Sequence, residues 1–208
     1  MKKILIVDDH EVVRAGVIKI VGQPGFVFGE AGDAGQALKL VHEQDWDLAV
    51  LDISLGDRSG LELLKELKQA SSKLPVLILS MHSEAQYARR AFQAGAAGYI
   101  TKDSPAEELV KAVNRVIAGG TYVTPAAAER LVMDLEKGID RPRHYALSDR
   151  EFEVMRLIAS GRTVGEIASL LELSDKTVST YRARIMEKMG MKTNAEIIHY
   201  AIRNNLTD

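Results

Sequence analysis

Four apolar runs of this chain end on groups that can do chemistry. Ile4-Leu5-Ile6-Val7 runs into Asp8 and Asp9, Leu48-Ala49-Val50-Leu51 into Asp52, and Val76-Leu77-Ile78-Leu79 into Ser80. Tyr99-Ile100-Thr101 runs into Lys102. Carboxylates bind a hard cation such as Mg2+, an ammonium and a hydroxyl suit a phosphoryl group, and one carboxylate can act as a nucleophile. If the four runs are strands of an open parallel sheet, their carboxyl ends line the crevice where such sheets bind ligands. The acids, the hydroxyl and the ammonium then meet in one cleft. Together they read as an aspartate that accepts a phosphoryl group with the help of a metal.

The elements needed to position that set are legible around it. In residues 1–120, apolar runs at 3–7, 27–31, 48–51, 76–80 and 97–100 alternate with helical patterns near 10–22, 34–44, 59–70, 84–94 and 105–119. Regular alternation of this kind predicts a parallel sheet covered on both faces, and near-continuous apolar strands fit burial from both sides. The expectation is an α/β doubly wound, five-stranded parallel sheet. Asp33 and Ser104 are expected as helix N-caps, with Pro105 at the first helical position and Gly119-Gly120 ending the last helix. Thr124-Pro125 is expected to open a further helix through about Lys137, followed by a polar linker over 138–144. From Leu147 the pattern is wholly helical, near 149–160, 163–171, 175–189 and 194–204. Ser148 followed by Glu151 three residues later predicts a capping box. The expected division is therefore 1–120, a partly helical linker over 121–145, and a small all-α domain over 146–208.

Composition narrows the class. The 208 residues are 46% apolar and 27% charged, as in an ordinary globular protein. There is no cysteine, which excludes disulfides and thiolate metal sites. No apolar run approaches the roughly 20 residues needed to span a bilayer. The basic opening Met1-Lys2-Lys3 leads into an apolar run too short for a signal peptide. A cytoplasmic protein without membrane partners is expected. The net charge of −2 hides a local pattern. Within 174–192, Lys176, Arg182, Arg184, Lys188 and Lys192 face only Asp175 and Glu187.

Residues 1–120 resemble the receiver domain of bacterial two-component response regulators, which has a flavodoxin-like fold. The likeness rests on Asp8-Asp9, Asp52, Ser80, Tyr99 and Lys102, in that order and each at a strand end. It implies that Asp52 takes a phosphoryl group from a phosphohistidine on a sensor histidine kinase. It implies Mg2+ bound by Asp9, Asp52 and the backbone carbonyl of Ser54, with Asp8 acting mainly through water. Lys102 would neutralise the phosphoryl charge and Ser80 would donate a hydrogen bond to it. Phosphorylation would then draw Ser80 inward, Tyr99 would turn in behind it, the surface over 84–104 would change, and dimerisation would follow, through either the helices near 10–22 and 105–119 or the 84–104 surface. Gly56 stands where many receivers carry proline, and Ser80 where threonine is common. Ser54 and His82 lie where receivers tune phosphoryl lifetime. Taken singly, each acid is a strand-end or capping residue, Lys102 a surface lysine and Tyr99 packing; the ordered set is what carries the reading.

The second half holds two helical segments joined by Glu172-Leu173-Ser174, the second with Val178, Ile185 and Met189 on one face. A tight turn followed by a helix with a basic exposed face suits entry into the DNA major groove. Leu147-Ser148-Asp149-Arg150-Glu151, Ile167-Ala168 and Leu173 through Arg182 resemble the LuxR-type helix-turn-helix domain. A receiver joined to that domain is similar to the NarL/FixJ class. By position, Ser179, Thr180 and Ala183 should face base edges. Lys176, Thr177, Arg184 and Lys188 should meet phosphates, and Arg182 either. Ser, Thr and Ala make few bidentate base contacts, so DNA shape is expected to contribute. The last helix is expected to expose Ile198 and Ala201, as core or as a dimer contact.

Taken together, these implications describe a non-enzymatic transcription regulator, phosphorylated on Asp52, dimeric when active and bound to double-stranded promoter DNA. A phosphohydrolase would want an acid–base group two residues beyond Asp52, and Ser54 stands there. A constitutive DNA-binding protein with the receiver as scaffold would leave the intact acid set without use.

Overall fold

A computed structural model of the chain describes residues 1–56, 58–125, 127–129 and 142–207. It divides into two compact units, 1–133 and 134–208. In the first unit the order is β1 (Lys2–Val7), α1 (Glu11–Val21), β2 (Phe26–Ala31), α2 (Ala34–Glu43), β3 (Leu48–Leu51), β4 (Ser54–Leu55), β5 (Arg58–Ser59), α3 (Gly60–Ala70), β6 (Val76–Ser80), α4 (Glu84–Gln93), β7 (Gly98–Thr101) and α5 (Ala106–Ile117).

Five strands form one sheet in the order β2-β1-β3-β6-β7. All four pairings are parallel. The strand order reverses beside β1, and β1 pairs with β3 in the register Val7↔Leu51. That register sets Asp8 and Asp52 side by side, each one residue past its strand. One face of the sheet buries Ile4, Ile6, Leu48, Val50, Leu77, Leu79 and Ile100 against Val17 and Val21 of α1 and Leu109, Val113 and Val116 of α5. The alternate residues Leu5, Val7, Ala49, Leu51, Val76 and Ile78 are equally buried, as the period-two pleat of a doubly covered strand requires.

Two local features differ from expectation, and a third expectation falls mostly outside the described residues. The pair β4–β5 is an antiparallel hairpin over Ser54↔Ser59 and Leu55↔Arg58, too short to show as a sequence pattern. Gly56 turns it at φ +54°, a left-handed conformation closed to proline, whose ring holds φ near about −65°. The structure thus accounts for glycine at this position. Second, Asp33 caps α2, its Oδ1 accepting from the Gln36 N–H at 2.8 Å, but Ser104 does not cap α5. That helix is preceded by Pro105, and the Ser104 hydroxyl instead pairs with Thr101 Oγ1 at 2.9 Å. Third, most of the helix expected from Thr124 through Lys137 and of the 138–144 linker lies outside the described residues. At its start, the Tyr122 N–H donates to Ala97 O at 2.9 Å and Gly98 bridges to Tyr122 in parallel. Tyr122 donates its hydroxyl to Glu108, and Thr124 donates its own to Glu84.

The second unit holds a short 3-10 turn (Arg143–Ala146) and helices α6 (Asp149–Ala159), α7 (Val164–Leu170), α8 (Asp175–Met189) and α9 (Asn194–Arg203). The expected capping box opens α6: Ser148 Oγ accepts from the Glu151 N–H at 3.2 Å and Glu151 accepts from the Ser148 N–H at 2.8 Å. A second box, Thr163 with Glu166, opens α7. The turn between α7 and α8 closes through the Leu173 N–H on Ala168 O at 2.8 Å. Phe152, Ile158, Ile167, Val178, Ile185, Met189, Ile197 and Ala201 are buried. Ala201 is therefore core, not surface, and Ile198 is half-buried; the large apolar residue exposed on α9 is Ile202, at 60% exposure. Among the described residues no helix is long and apolar enough to cross a membrane.

Candidate functional site

The carboxyl edge of the sheet brings together three of the predicted groups. Lys102, one residue past β7, places its Nζ 2.6 Å from Asp8 Oδ2 and 2.7 Å from Asp52 Oδ2. Asp8 and Asp52 are only 3% and 4% exposed. Two carboxylates at such depth repel each other and lose hydration, and one ammonium between them offsets both costs. Burial pushes the Asp52 carboxyl above the ordinary carboxylate range, and the Asp8 charge adds to that push while Lys102 opposes it. For Lys102, burial alone would lower the pKa. The two carboxylates outweigh burial and raise it, so the ammonium stays charged.

The other oxygen of Asp52 accepts from the Ser54 N–H at 3.2 Å. Gly60, the first residue of α3, comes so close that an added Cβ would lie 2.1 Å from the Asp52 carbonyl oxygen. The absence of a side chain there lets α3 start directly against the backbone of Asp52 and Ile53.

Asp9 is exposed and turned outward, its Oδ1 2.7 Å from His10 Nδ1. Asp8, Asp9 and His10 each offer one ligand atom within 4.8 Å of the others. His10 was not among the expected site residues, and only its place after the two acids could have suggested it. Asp8, Asp9 and Asp52 set three carboxylates against one ammonium, and the two negative charges left over match a divalent cation. All the acidic donors are hard oxygens, as Mg2+ prefers.

Ser80 is fully buried at the end of β6, and its Oγ accepts from the His82 N–H at 3.1 Å. His82 stacks on Tyr87 with ring centroids 4.7 Å apart, and its Nε2 lies 3.4 Å from Ser54 Oγ. Tyr99 was expected to turn inward only after phosphoryl transfer. In this structure it is already inside, 1% exposed, because its hydroxyl donates to the His82 carbonyl at 2.8 Å. His82 thus ties Ser80 to Tyr99 through its two backbone groups.

In the second unit, α8 buries Val178, Ile185 and Met189 and exposes Lys176, Ser179, Thr180, Ala183, Arg184 and Lys188. Thr177 is partly buried at the cap, its N–H on Ser174 Oγ at 3.1 Å and its hydroxyl 2.8 Å from the same atom. The Thr180 hydroxyl donates to Lys176 O at 2.9 Å. Two expected cationic DNA contacts have side-chain partners on other helices. Lys188 Nζ lies 2.6 Å from Glu151 Oε2, joining α8 to the capping box of α6. Burial would raise the Glu151 pKa, but Lys188 and the Ser148 N–H together hold it below the usual carboxylate range. Arg182 is half-buried and donates from Nε to Asn194 Oδ1 at 2.6 Å. Sequence reasoning missed both ties because each partner lies on another helix.

Comparison with known proteins identifies the family of each half of the chain. Residues 4–114 match the response regulator receiver domain, and residues 145–201 match the luxR family of bacterial regulatory proteins. The chain is 35% identical over 214 residues to response regulator GacA of Pseudomonas aeruginosa, covering 100% of this chain and 99% of that one. It is 34% identical over 209 residues to response regulator UvrY of Escherichia coli, covering 99% and 96%. Among solved structures it is similar to RcsB from Salmonella enterica serovar Typhimurium, bound to a promoter in the presence of the phosphomimetic BeF3-. That match has a TM-score of 0.58 and 28% identity, over 96% of this chain and 97% of that one. With an acid cleft at the carboxyl edge of a receiver sheet in its first unit and a helix-turn-helix in its second, this chain belongs to the two-component response regulators of the NarL/FixJ class.

Proposed function

We propose that residues 1–120 are a receiver switched by phosphorylation of Asp52, that 121–145 connect it onward, and that 146–208 bind promoter DNA. The observation that carries the switch is the Lys102 ammonium held 2.6 and 2.7 Å from two almost fully buried carboxylates. Asp52 attacks the phosphorus of a phosphohistidine on a sensor kinase. The new O–P bond forms as the P–N bond breaks, and the electron pair stays on the departing imidazole nitrogen. Phosphoryl transfer needs positioning and charge neutralisation more than covalent help. Lys102 supplies a fixed positive charge at the acceptor. The Ser54 N–H and the Ser80 hydroxyl are donors available to phosphoryl oxygens. Asp8, Asp9, Asp52 and the Ser54 carbonyl would hold Mg2+, which supplies further neutralisation of phosphoryl charge when bound.

The output begins at Ser80. A phosphoryl group that draws on the Ser80 hydroxyl acts on the residue that accepts the His82 N–H. The His82 carbonyl in turn holds Tyr99, so strain at Ser80 reaches β7 and the start of α4. Dimerisation of the phosphorylated receiver then pairs two DNA-binding units. On α8, Ser179, Thr180 and Ala183 meet base edges, while Lys176, Thr177 and Arg184 meet phosphates, which position the protein without reading sequence. Arg182 adds a further positive charge. Lys188 is mainly a tie to Glu151 and adds less. The protein works in the cytoplasm as a regulator and not as a hydrolase.

Light scattering with Mg2+ and beryllium fluoride tests this reading. Wild type should shift from monomer to dimer and Asp52→Ala should not. A dimer of equal extent in Asp52→Ala would overturn the role of Asp52.

A further inference from the structure

We infer that Asn194 is a positioning residue for DNA binding. It aims the Arg182 guanidinium while leaving its positive charge free for a DNA phosphate. The inference rests on the DNA-binding reading of α8 given above.

The juxtaposition is specific. Asn194 is the first residue of α9, exposed, with Thr193 as the cap before it. Arg182 lies on the seam of α8, one turn beyond the buried Val178 and three residues beyond the exposed Ser179. Its stem can cover the core edge while its head stays at the surface, as long cationic side chains do. The Nε–Oδ1 bond of 2.6 Å uses one edge of the guanidinium. Among the described residues Nη1 and Nη2 have no partner.

The chemistry of the holder matters more than its presence. A guanidinium is a rigid planar fork that matches phosphate oxygens in pairs. A neutral amide that takes Nε fixes the plane of the fork without cancelling its charge. Lys188 on the same helix is the contrast, because its charge is matched by the Glu151 carboxylate at 2.6 Å. The sequence of α8 places four cations and two acids along one helix, but these two ties decide which cations still carry free charge. Holding Arg182 before DNA arrives also removes part of the ordering cost of the contact.

The test is fluorescence anisotropy of the full chain with a fluorescein-labelled DNA duplex of arbitrary sequence, read across a salt series. Phosphate contacts are independent of sequence, so no operator is needed. Asn194→Ala should bind about fivefold more weakly with little change in salt slope, since the charge remains but loses its aim. Asn194→Asp keeps the acceptor and suits a helix N-terminus, so it should fold at least as well. It should nevertheless bind about tenfold more weakly, with a salt slope smaller by about one, because the carboxylate cancels the charge. Arg182→Ala should resemble Asn194→Asp, and adding Asn194→Ala to Arg182→Ala should cost nothing further. Wild-type affinity and slope in both Asn194 variants would overturn the inference, as would a double variant whose loss is the product of the single losses. Failure of the wild type to bind any duplex would overturn the DNA-binding reading itself and this inference with it.

Discussion

Lys102→Met is the perturbation that most sharply probes the acid cleft. The ammonium is shared by Asp8 and Asp52 at 2.6 and 2.7 Å, and the side chains of both acids are 4% exposed. Methionine keeps much of the volume and removes the charge. Taking away one partner of a buried ion pair costs about 3–5 kcal/mol, because the remaining charge is left without compensation. The Lys102 side chain retains 13% exposure, so water can follow it, and the lower end of about 3 kcal/mol is expected. For a unit of this size that corresponds to a fall in melting temperature of about 10 °C. Trp46 is the only tryptophan and lies in the first unit, so its fluorescence reports this unfolding alone. The melt should be run in EDTA and again with Mg2+, which should narrow the gap between variant and wild type. Asp52→Asn placed on Lys102→Met should recover a large share of the loss, because it removes one of the two stranded carboxylates. Equal melting of wild type and Lys102→Met in EDTA would show that the ammonium does not hold the two carboxylates in place, as would a loss that Asp52→Asn leaves untouched.

Three further outcomes follow from the same structure. Gly60→Ala puts a Cβ 2.1 Å from the Asp52 carbonyl and 2.6 Å from Ile53 Cα, both backbone, so it should destabilise the first unit by about 3 kcal/mol or more in urea melts followed at Trp46. The Tyr122 hydroxyl is pushed up to about 12 by burial and by its bond to Glu108, so its contribution to stability is whole below pH about 10 and is lost as pH rises through 12. Wild type should therefore lose stability across that window relative to Tyr122→Phe, and parallel pH profiles of the two would contradict this. Ser148→Ala removes the hydroxyl of the α6 capping box and should cost about 1 kcal/mol, seen as a shift in the far-UV circular dichroism melt of the second unit with no change at Trp46.

The sheet was legible because each strand is a short apolar run, and the site because its polar groups stand one residue past those runs. Register then does the rest: Val7↔Leu51 sets Asp8 beside Asp52 with no further information. Helix starts were legible where the capping side chain had no competitor, as at Asp33 and Ser148. Ser104 had one in Thr101, a choice made by side-chain geometry that the order of residues does not encode. The β4–β5 hairpin is too short for any periodicity, and Gly56 alone hinted at its turn. The inward position of Tyr99 depends on a backbone carbonyl seventeen residues earlier. Lys188 and Arg182 look alike in a one-dimensional charge pattern. Only their partners on α6 and α9, Glu151 and Asn194, tell them apart.

Whether Asp52 accepts a phosphoryl group is read by intact-mass spectrometry after incubation with Mg2+ and a small acyl phosphate. Wild type should gain one phosphoryl group, mapped to Asp52, and Asp52→Ala none. Wild type that stays unmodified, or an Asp52→Ala chain that gains the same mass, would contradict the role of Asp52 as phosphoacceptor.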